Sequence, residues 1–112
     1  MADLNALTIA DARDMLRAGE VTSKELTEAC LKASEAASVL NAVVHPTPDL
    51  ALMQAAEADK RLAAGDTPDL CGIPLGIKDL FCTKGIPSQA ASGILEGFRP
   101  EYESTVTAQL FN

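Results

Sequence analysis

The sequence contains few of the residues from which most catalytic and metal sites are built. His45 is its only histidine, which excludes a Ser-His-Asp or Cys-His catalytic site and a metal site with several histidines. The three cysteines, Cys30, Cys71 and Cys82, are odd in number and form no C-x-x-C pair. Neither a disulfide framework nor a zinc site is therefore expected, and we interpret the cysteines as small core residues.

Grouped positive charge and long apolar runs are also absent. Nine basic residues stand against 16 acidic ones, the net charge is −7, and no cluster of three or more basic residues occurs. Direct binding of nucleic acid is not expected, because phosphate neutralisation needs grouped Lys and Arg. No apolar run approaches the length of a membrane span, and the first residues contain no apolar signal core. We expect a cytoplasmic protein that does not contact a membrane.

Aromatic residues make up only 4% of the sequence, and tryptophan is absent. The hydrophobic content of 47% nevertheless fits a globular protein. With 112 residues the chain is long enough for at most one small domain. Its core must be built from Ala, Leu, Ile and Val, which favours packed helices with parallel strands over an antiparallel sandwich.

Residues 1–66 are predicted to be mainly helical. Thr8 caps a first helix that stops at Gly19, and the T-x-x-E pattern of Thr22 and Glu25 forms a capping box for a second helix. The second helix is expected over residues 23–37. A third, capped by Thr47, has a proline at its first position and stops at a glycine, over residues 48–64. Between them, residues 40–45 are rich in β-formers and predict a short strand.

Residues 70–112 differ in character. Residues 72–81, Gly-Ile-Pro-Leu-Gly-Ile-Lys-Asp-Leu-Phe, are apolar and contain two glycines. They predict a buried strand whose backbone packs closely at the glycines. Residues 83–102 are expected to form a loop, and Ser104 to cap a last helix with Val106 and Leu110 on one face. Helices alternating with strands indicate an α/β fold.

Lys78 is the candidate catalytic residue, because it lies in the most apolar segment of the chain. Lysine is almost never fully buried without a reason. One interpretation is structural, in which Lys78 pairs with Asp79 or extends to the surface from a strand end. The other is a desolvated lysine that is neutral near pH 7 and can accept a proton. A phosphate-binding loop is not expected, since the spacing of the glycines and lysine differs and Asp79 replaces the Ser/Thr.

Three motifs decide between these interpretations by resemblance. GIPLGIKDLF, the following CTKG and the later YESTVTAQL closely resemble the start of the amidase-signature hydrolases. Within that family they look most like the glutaminase chains of the tRNA-dependent aspartyl/glutamyl amidotransferases. The resemblance implies an α/β/α layered fold with a large mixed sheet. Residues 1–112 would then be the N-terminal fragment of a single amidase domain.

The resemblance implies that Lys78 is the general base of a Ser–cis-Ser–Lys triad, which activates a nucleophilic serine through a bridging one. It implies no metal or cofactor residue in this chain and leaves the substrate-binding residues unassigned. The family's serines lie in a Gly/Ser-rich segment, and no G-S-S-G run occurs here. Ser88, Ser92 and Ser104 do not match it and are interpreted as two loop residues and a helix cap. We therefore expect this chain to be inactive alone.

Partners also follow from the resemblance. It implies a heterotrimer with the amidotransferase subunits B and C, of which the former holds ATP, Mg²⁺ and the mischarged tRNA. The glutaminase chain would hydrolyse glutamine, and its ammonia would convert Glu-tRNA(Gln) or Asp-tRNA(Asn) to Gln-tRNA(Gln) or Asn-tRNA(Asn). Two alternatives stay open: a stand-alone amidase of the same family, and a truncated, non-catalytic remnant or binding module.

Overall fold

The computed structural model of the protein describes residues 3–112, which form two compact units. The first unit ends at Pro74, and the second comprises Leu75–Asn112. The α-helices are α1 (Ile9–Ala18), α2 (Ser23–Ala36), α3 (Pro48–Ala63) and α4 (Thr105–Phe111). Short 3-10 helices lie at Leu4–Ala6, Ser38–Leu40 and Gly93–Leu95. No β-strand occurs within residues 3–112.

Side-chain caps define the starts of α1 and α2, as the sequence predicts. The Thr8 hydroxyl oxygen accepts the N–H of Asp11 at 3.1 Å. Gly19 ends α1 in the left-handed conformation, with a φ of 71°. Thr22 and Glu25 form the predicted capping box, in which the Glu25 carboxylate accepts the N–H of Thr22 at 2.8 Å. That hydrogen bond lowers the pKa of Glu25, because it favours the ionised carboxylate.

A carboxylate from α3 completes the start of α2. Asp59 accepts the N–H of Ser23 at 2.7 Å through Oδ1 and the N–H of Lys24 at 3.2 Å through Oδ2. These donors lie in the first turn of α2, where helical N–H groups have no partner within their own helix. The negative charge also lies at the favourable end of the helix dipole. Helices α2 and α3, which pack against each other, are thus joined through backbone donors as well.

Helix α3 begins where the sequence predicts and ends within one residue of the prediction. Pro48 occupies its first turn, where a missing N–H costs nothing. The predicted cap at Thr47 is wrong, because its side chain makes no hydrogen bond to the start of the helix. At the other end, the N–H of Ala64 bonds to the carbonyl oxygens of Lys60 and Arg61, each at 3.1 Å.

The core of the first unit is small and aliphatic. Its buried cluster comprises Ala12, Leu16, Val21 and Leu26. Five partly buried residues pack against this cluster: Leu4, Leu7, Met15, Leu62 and Ile73. Helix α1 contributes Ala12 and Leu16 to this core, whereas its first residue, Ile9, is 54% exposed.

Gly72 brings the chain back against this core. Its φ is +84°, which side-chain-bearing residues rarely adopt. A Cβ placed there would lie 3.2 Å from methyl groups of both Leu16 and Leu62 and 3.3 Å from Cβ of Ser23. The Ser23 hydroxyl also donates to the Gly72 carbonyl at 2.9 Å. Close packing at Gly72 is therefore confirmed, but at Gly76 nothing lies within 4 Å of the Cβ position, so the same prediction is wrong there.

The predicted strand over residues 40–45 is wrong. Leu40 ends a 3-10 helix, and Asn41 then adopts a positive φ of 50°. Val43 and Val44 are exposed at 52% and 61%. A β-rich composition produces a strand only where another extended segment supplies hydrogen bonds, and no such segment pairs with these residues in the described chain.

The predicted buried strand over residues 72–81 is also wrong in this structure. The segment consists of turns and irregular backbone, and Leu75, Lys78 and Leu80 are exposed. Lys78 begins a turn rather than an extended run, since Phe81 donates its N–H to the Lys78 carbonyl at 3.0 Å. The α/β class with a large mixed sheet is therefore not confirmed, because the described residues contain no strand to build one.

In the second unit, Ser104 caps α4 as predicted, and its hydroxyl oxygen accepts the N–H of Thr107 at 3.1 Å. Of the two apolar residues that the sequence places on one face of α4, Val106 is exposed and Leu110 is half-buried. Val106 is 42% exposed, while the polar Thr107 is fully buried. Thr107 is buried because its hydroxyl finds hydrogen-bond partners there, as described below.

Candidate active-site segment around Lys78

Lys78 lies in the second unit, at the start of a turn that the Phe81 N–H closes on the Lys78 carbonyl. Its side chain is exposed. It makes no ion pair with any residue that the structure describes. The expectation of a buried lysine is therefore wrong here, because the strand that would have enclosed it is absent. Its catalytic role stays a prediction.

Asp79 does not pair with Lys78, which removes one of the two structural interpretations. Instead its Oδ1 accepts the N–H of Gln89 at 3.0 Å, and its main-chain oxygen accepts the N–H of Ala90 at 2.9 Å. The adjacent residues Lys78 and Asp79 thus have different structural roles. The lysine amine stays open to an approaching group, and the aspartate is committed to the backbone of a segment ten residues further along the chain.

That segment adopts an unusual backbone conformation. Ala90 and Ala91 have positive φ angles of 49° and 59°, and Ser92 returns its N–H to the Gln89 carbonyl at 2.9 Å. Left-handed backbone costs an alanine about 1–2 kcal/mol. Two consecutive left-handed alanines persist only where neighbouring contacts hold them, and Asp79 supplies two of those contacts. The sequence does not predict this role of Asp79, because no local pattern indicates a contact with Ala90.

The Cys82 carbonyl oxygen anchors α4. It accepts the N–H of Ser104 at 2.8 Å and lies 3.0 Å from the Thr107 hydroxyl. The same hydroxyl lies 2.7 Å from Oε2 of Glu103. The CTKG motif, which begins at Cys82, and the ESTVT part of the last motif therefore meet at one carbonyl group. Two of the three stretches that carried the resemblance are in contact, within the unit that contains Lys78.

The predicted loop over residues 83–102 is confirmed, with one short 3-10 helix inside it. Its two arms are joined by hydrogen bonds from the Gly85 N–H to the Pro100 carbonyl at 2.9 Å and from the Ser88 N–H to the Phe98 carbonyl at 3.1 Å. Arg99 donates to the Gly85 carbonyl at 3.0 Å. The loop is therefore ordered by its own backbone.

The serines of this unit have structural contacts. Ser88 is buried and donates to the Ile86 carbonyl at 3.2 Å, whereas Ser92 precedes the 3-10 helix and Ser104 caps α4. Their interpretation as loop and cap residues is confirmed. The side-chain hydrogen bonds of Ser88 and Ser104 are made to other groups than the amine of Lys78.

Other candidate chemistry is limited in the described part of the chain. All three cysteines are free thiols, and no group of three or more His, Cys, Asp or Glu side chains within residues 3–112 could hold a metal ion. The Cys82 thiol lies 3.6 Å from the Tyr102 hydroxyl, and this hydrogen bond raises the pKa of Tyr102. Over the same residues, no helix is both long and apolar enough to cross a bilayer.

The comparisons with known proteins agree on one family. The sequence pattern of the family described as Amidase matches residues 25–112. The chain is 71% identical over 111 residues to a protein of Dinoroseobacter shibae and 69% identical over 110 residues to one of Jannaschia sp.. A protein of Ruegeria pomeroyi is 67% identical over 111 residues. All three are named as the A chain of a glutamyl-tRNA(Gln) amidotransferase.

These alignments cover 98–99% of this chain but 22% of each relative. The chain thus spans about a fifth of the length of the curated relatives it matches. The family pattern itself covers most of the chain, from residue 25 to residue 112, and includes all three motifs. The chain belongs to the Amidase family.

Proposed function

We propose that this chain supplies the lysine-bearing part of the active site of the glutamine-hydrolysing component of a tRNA-dependent amidotransferase. The observation that carries this function is the 67–71% identity to proteins named as such components, over nearly the whole chain. Lys78 and its surrounding motif lie inside the matched region. The stand-alone amidase, which the same motif also fits, is the second candidate.

Lys78 is proposed as the general base. In its neutral form the amine accepts a proton, through a bridging serine, from the serine that attacks the carboxamide carbon of glutamine. The carbon–nitrogen bond then breaks, and the nitrogen leaves as ammonia after taking up a proton. Water hydrolyses the resulting acyl-enzyme to glutamate. Both serines are expected in sequence that the motifs of this chain do not include.

The lack of an ion pair at Lys78, rather than its exposure, supports this role. Within residues 3–112, no carboxylate lies within ion-pair distance of its amine. A lysine paired with Asp79 would have to break that pair before a serine could approach. The Asp79 carboxylate instead accepts a main-chain N–H, so the amine is open to the serines of a complete active site.

The ammonia is proposed to convert Glu-tRNA(Gln) or Asp-tRNA(Asn) to the amidated product. The net charge of −7 and the absence of basic clusters fit a component that does not itself hold the tRNA. The amidotransferase subunits B and C are the proposed partners. The first of them would bind the mischarged tRNA together with ATP and Mg²⁺, which activate the carboxylate that ammonia attacks.

The function can be tested by grafting this chain in place of the matching 111 residues of the Dinoroseobacter shibae relative. The chimera is purified with that relative's partner subunits, and ammonia release from glutamine is measured. Lys78→Met removes the amine, and Lys78→Arg keeps the charge but cannot act as a base. Both changes are expected to lower kcat by roughly a hundredfold or more.

Lys84→Met is the matched control. Lys84 is exposed, lies in the same unit and has no predicted catalytic role, so this variant is expected to keep the activity of the unmodified chimera. An active Lys78→Arg enzyme would contradict the assignment of Lys78 as the base. Amide hydrolysis without glutamine-dependent product formation on tRNA would favour the stand-alone amidase.

The chain by itself is proposed to be inactive, because a base without a nucleophilic serine has nothing to activate. Ammonia release by the purified 112-residue chain would contradict this, provided that the release disappears in the Lys78→Met variant. Release that persists in that variant would come from a contaminant.

A further inference from the structure

Two hydrogen bonds join Asp79, the residue after the proposed base, to the backbone of Gln89 and Ala90. The carboxylate accepts the Gln89 N–H at 3.0 Å, and the main-chain oxygen accepts the Ala90 N–H at 2.9 Å. The main-chain bond is available to any residue at position 79. The side-chain bond needs an acceptor of the length of Asp or Asn.

The two hydrogen bonds from Asp79 stabilise a segment whose backbone conformation is unfavourable by itself. Ala90 and Ala91 both have positive φ angles, of 49° and 59°, a conformation that disfavours any residue with a Cβ. Without external contacts, the two alanines would relax to ordinary backbone. The Asp79 carboxylate fixes the N–H that immediately precedes Ala90, so it acts at the start of the left-handed turn.

The contact works in both directions. Lys78 is held on its C-terminal side by the turn closed by Phe81 and, through Asp79, by the ordered segment at Ala90. The backbone at residue 78 sets the direction of the Cα–Cβ bond of Lys78, and these contacts hold that backbone. The exposed four-carbon side chain beyond this bond has many conformations, so the backbone is the part of Lys78 that the contacts can orient. A base displaced by about 1 Å can lose about a hundredfold in rate.

We infer that Asp79 is a positioning residue for Lys78, acting by locking the left-handed Ala90–Ala91 turn against the lysine-bearing segment. This inference rests on the proposed function of Lys78. Asp79 touches neither substrate nor serine in this role and transfers no proton. Its contribution is the acceptor oxygen, and the negative charge is incidental.

The test uses the chimera and partner subunits described above. Asp79→Ala removes the acceptor and is expected to lower kcat for glutamine hydrolysis by about tenfold or more, with KM within about twofold of the unmodified value. Asp79→Asn keeps an acceptor oxygen and is expected to keep kcat within about threefold, with an unchanged pH profile. Circular dichroism and melting of each variant establish that equal amounts of folded protein are compared.

A second substitution tests the role of the turn. Glycine adopts positive φ without the penalty of a Cβ, so Ala90→Gly should make the left-handed turn less dependent on Asp79. The Asp79→Ala/Ala90→Gly double variant is expected to recover most of the lost kcat and to differ from Ala90→Gly alone by less than about threefold. This comparison also carries the test if Asp79→Ala alone fails to fold.

Three results would overturn the inference. The first is an Asp79→Ala enzyme with unmodified kcat. The second is an Asp79→Asn enzyme as impaired as Asp79→Ala, which would assign the effect to charge. The third is a double variant with no recovery over Asp79→Ala, or with a loss of about tenfold relative to Ala90→Gly. None of these three results contradicts the proposed function as long as the Lys78→Met enzyme is inactive. An active Lys78→Met enzyme would refute both the catalytic function of Lys78 and the positioning role of Asp79.

Discussion

Asp59 stabilises the start of a helix to which it does not belong. Its two carboxylate oxygens accept the N–H groups of Ser23 and Lys24, and the hydrogen bond to Ser23 is partly buried whereas that to Lys24 is exposed. We expect Asp59→Ala to lower the free energy of unfolding by about 1–3 kcal/mol, the usual cost of leaving such donors unsatisfied. Urea unfolding followed by circular dichroism measures the change.

Glu57→Ala provides the control for this prediction. Glu57 lies on the same helix and forms an ion pair with Lys60 at 2.8 Å, but both side chains are largely exposed. Exposed pairs of this kind contribute about 0–1 kcal/mol, so this variant should unfold close to the unmodified chain. Equal effects of the two substitutions would mean that Asp59 acts only through helix propensity or net charge.

At the scale of elements, Gly72 allows the chain to return against α1 and α3. Gly72→Ala forces a Cβ into 3.2 Å contacts with Leu16 and Leu62, in a backbone with φ of +84°. Gly65→Ala is the matched comparison, because Gly65 has a φ of +85° and nothing within 4 Å of its Cβ position. Both variants should carry the backbone cost of about 1–2 kcal/mol.

Only Gly72→Ala should add an overpacking cost, which is typically about 1–3 kcal/mol. The difference between the two urea-unfolding free energies therefore measures the close packing by itself. Equal destabilisation by Gly65→Ala and Gly72→Ala would show that the core yields to the methyl group.

The capping box at the start of α2 should make stability depend on pH. The pKa of Glu25 is lowered from its ordinary value of 4.5 by the hydrogen bond from the backbone of Thr22. A lowered pKa in the folded chain means that the ionised carboxylate stabilises the fold above pH 4.5. This contribution is lost as the pH falls from there through the lowered value.

Glu25→Gln isolates the effect, because glutamine keeps an acceptor oxygen but does not titrate. We expect the unmodified chain to be more stable than Glu25→Gln near neutral pH and to lose that advantage in acid. Urea midpoints of both proteins, measured at about pH 7, 4 and 3, give the comparison. A difference that is independent of pH would exclude the carboxylate as its source.

Most features that the sequence predicts correctly have local determinants, although the equally local cap predicted at Thr47 does not form. The caps at Thr8, Thr22 and Ser104 need only the three residues that follow each of them. The strands predicted over residues 40–45 and 72–81 need a neighbouring strand, which no local pattern can supply. The Asp59 contact with α2 spans more than thirty residues of sequence and leaves no local signal either.

The same distinction between local patterns and distant contacts applies to the candidate site. The motif around Lys78 identifies that residue by resemblance to a known family. It does not predict that the Lys78 side chain is exposed, because burial depends on the other segments that pack around the motif. The role of Asp79 has no sequence signal, because its partner, the Gln89 N–H, lies in a loop whose conformation depends on two left-handed alanines. Nothing in the composition of that loop predicts positive φ at alanine.

At the scale of the whole molecule, the chain exposes much apolar surface beside a small core. Val39, Leu40 and Val44 are 85%, 72% and 61% exposed. Such surface promotes association in water. We expect the purified chain to self-associate with rising concentration and to bind a hydrophobic dye, as measured by sedimentation and fluorescence.

A double variant, Val39→Lys/Val44→Lys, should reduce both signals. It makes the net charge less negative by two units, so Glu35→Lys serves as a control with the same change in charge and no loss of apolar surface. Equal behaviour of the two variants would assign the association to charge. Monomeric unmodified chain with a sharp, cooperative melt would contradict the expectation altogether.

The GIPLGIKDLF motif serves both compact units. Its first residues, Gly72 and Ile73, pack against the core of the first unit, while Lys78 and Asp79 belong to the second. The choice of residue is thus constrained at several positions of this short motif, for unrelated reasons. Packing constrains Gly72, and hydrogen bonding to a distant backbone constrains Asp79.

The carbonyl group of Cys82 has a consequence for the pattern of tolerated substitutions. It accepts the N–H of Ser104 and lies within hydrogen-bonding distance of the Thr107 hydroxyl, yet it belongs to the main chain and is present whatever residue occupies position 82. Saturation mutagenesis should therefore show an asymmetry. Many residues will be accepted at position 82, because the acceptor there is a main-chain oxygen. Few will be accepted at position 107, because the hydroxyl belongs to the side chain. The contact that anchors α4 will therefore constrain the sequence at position 107 but not at position 82.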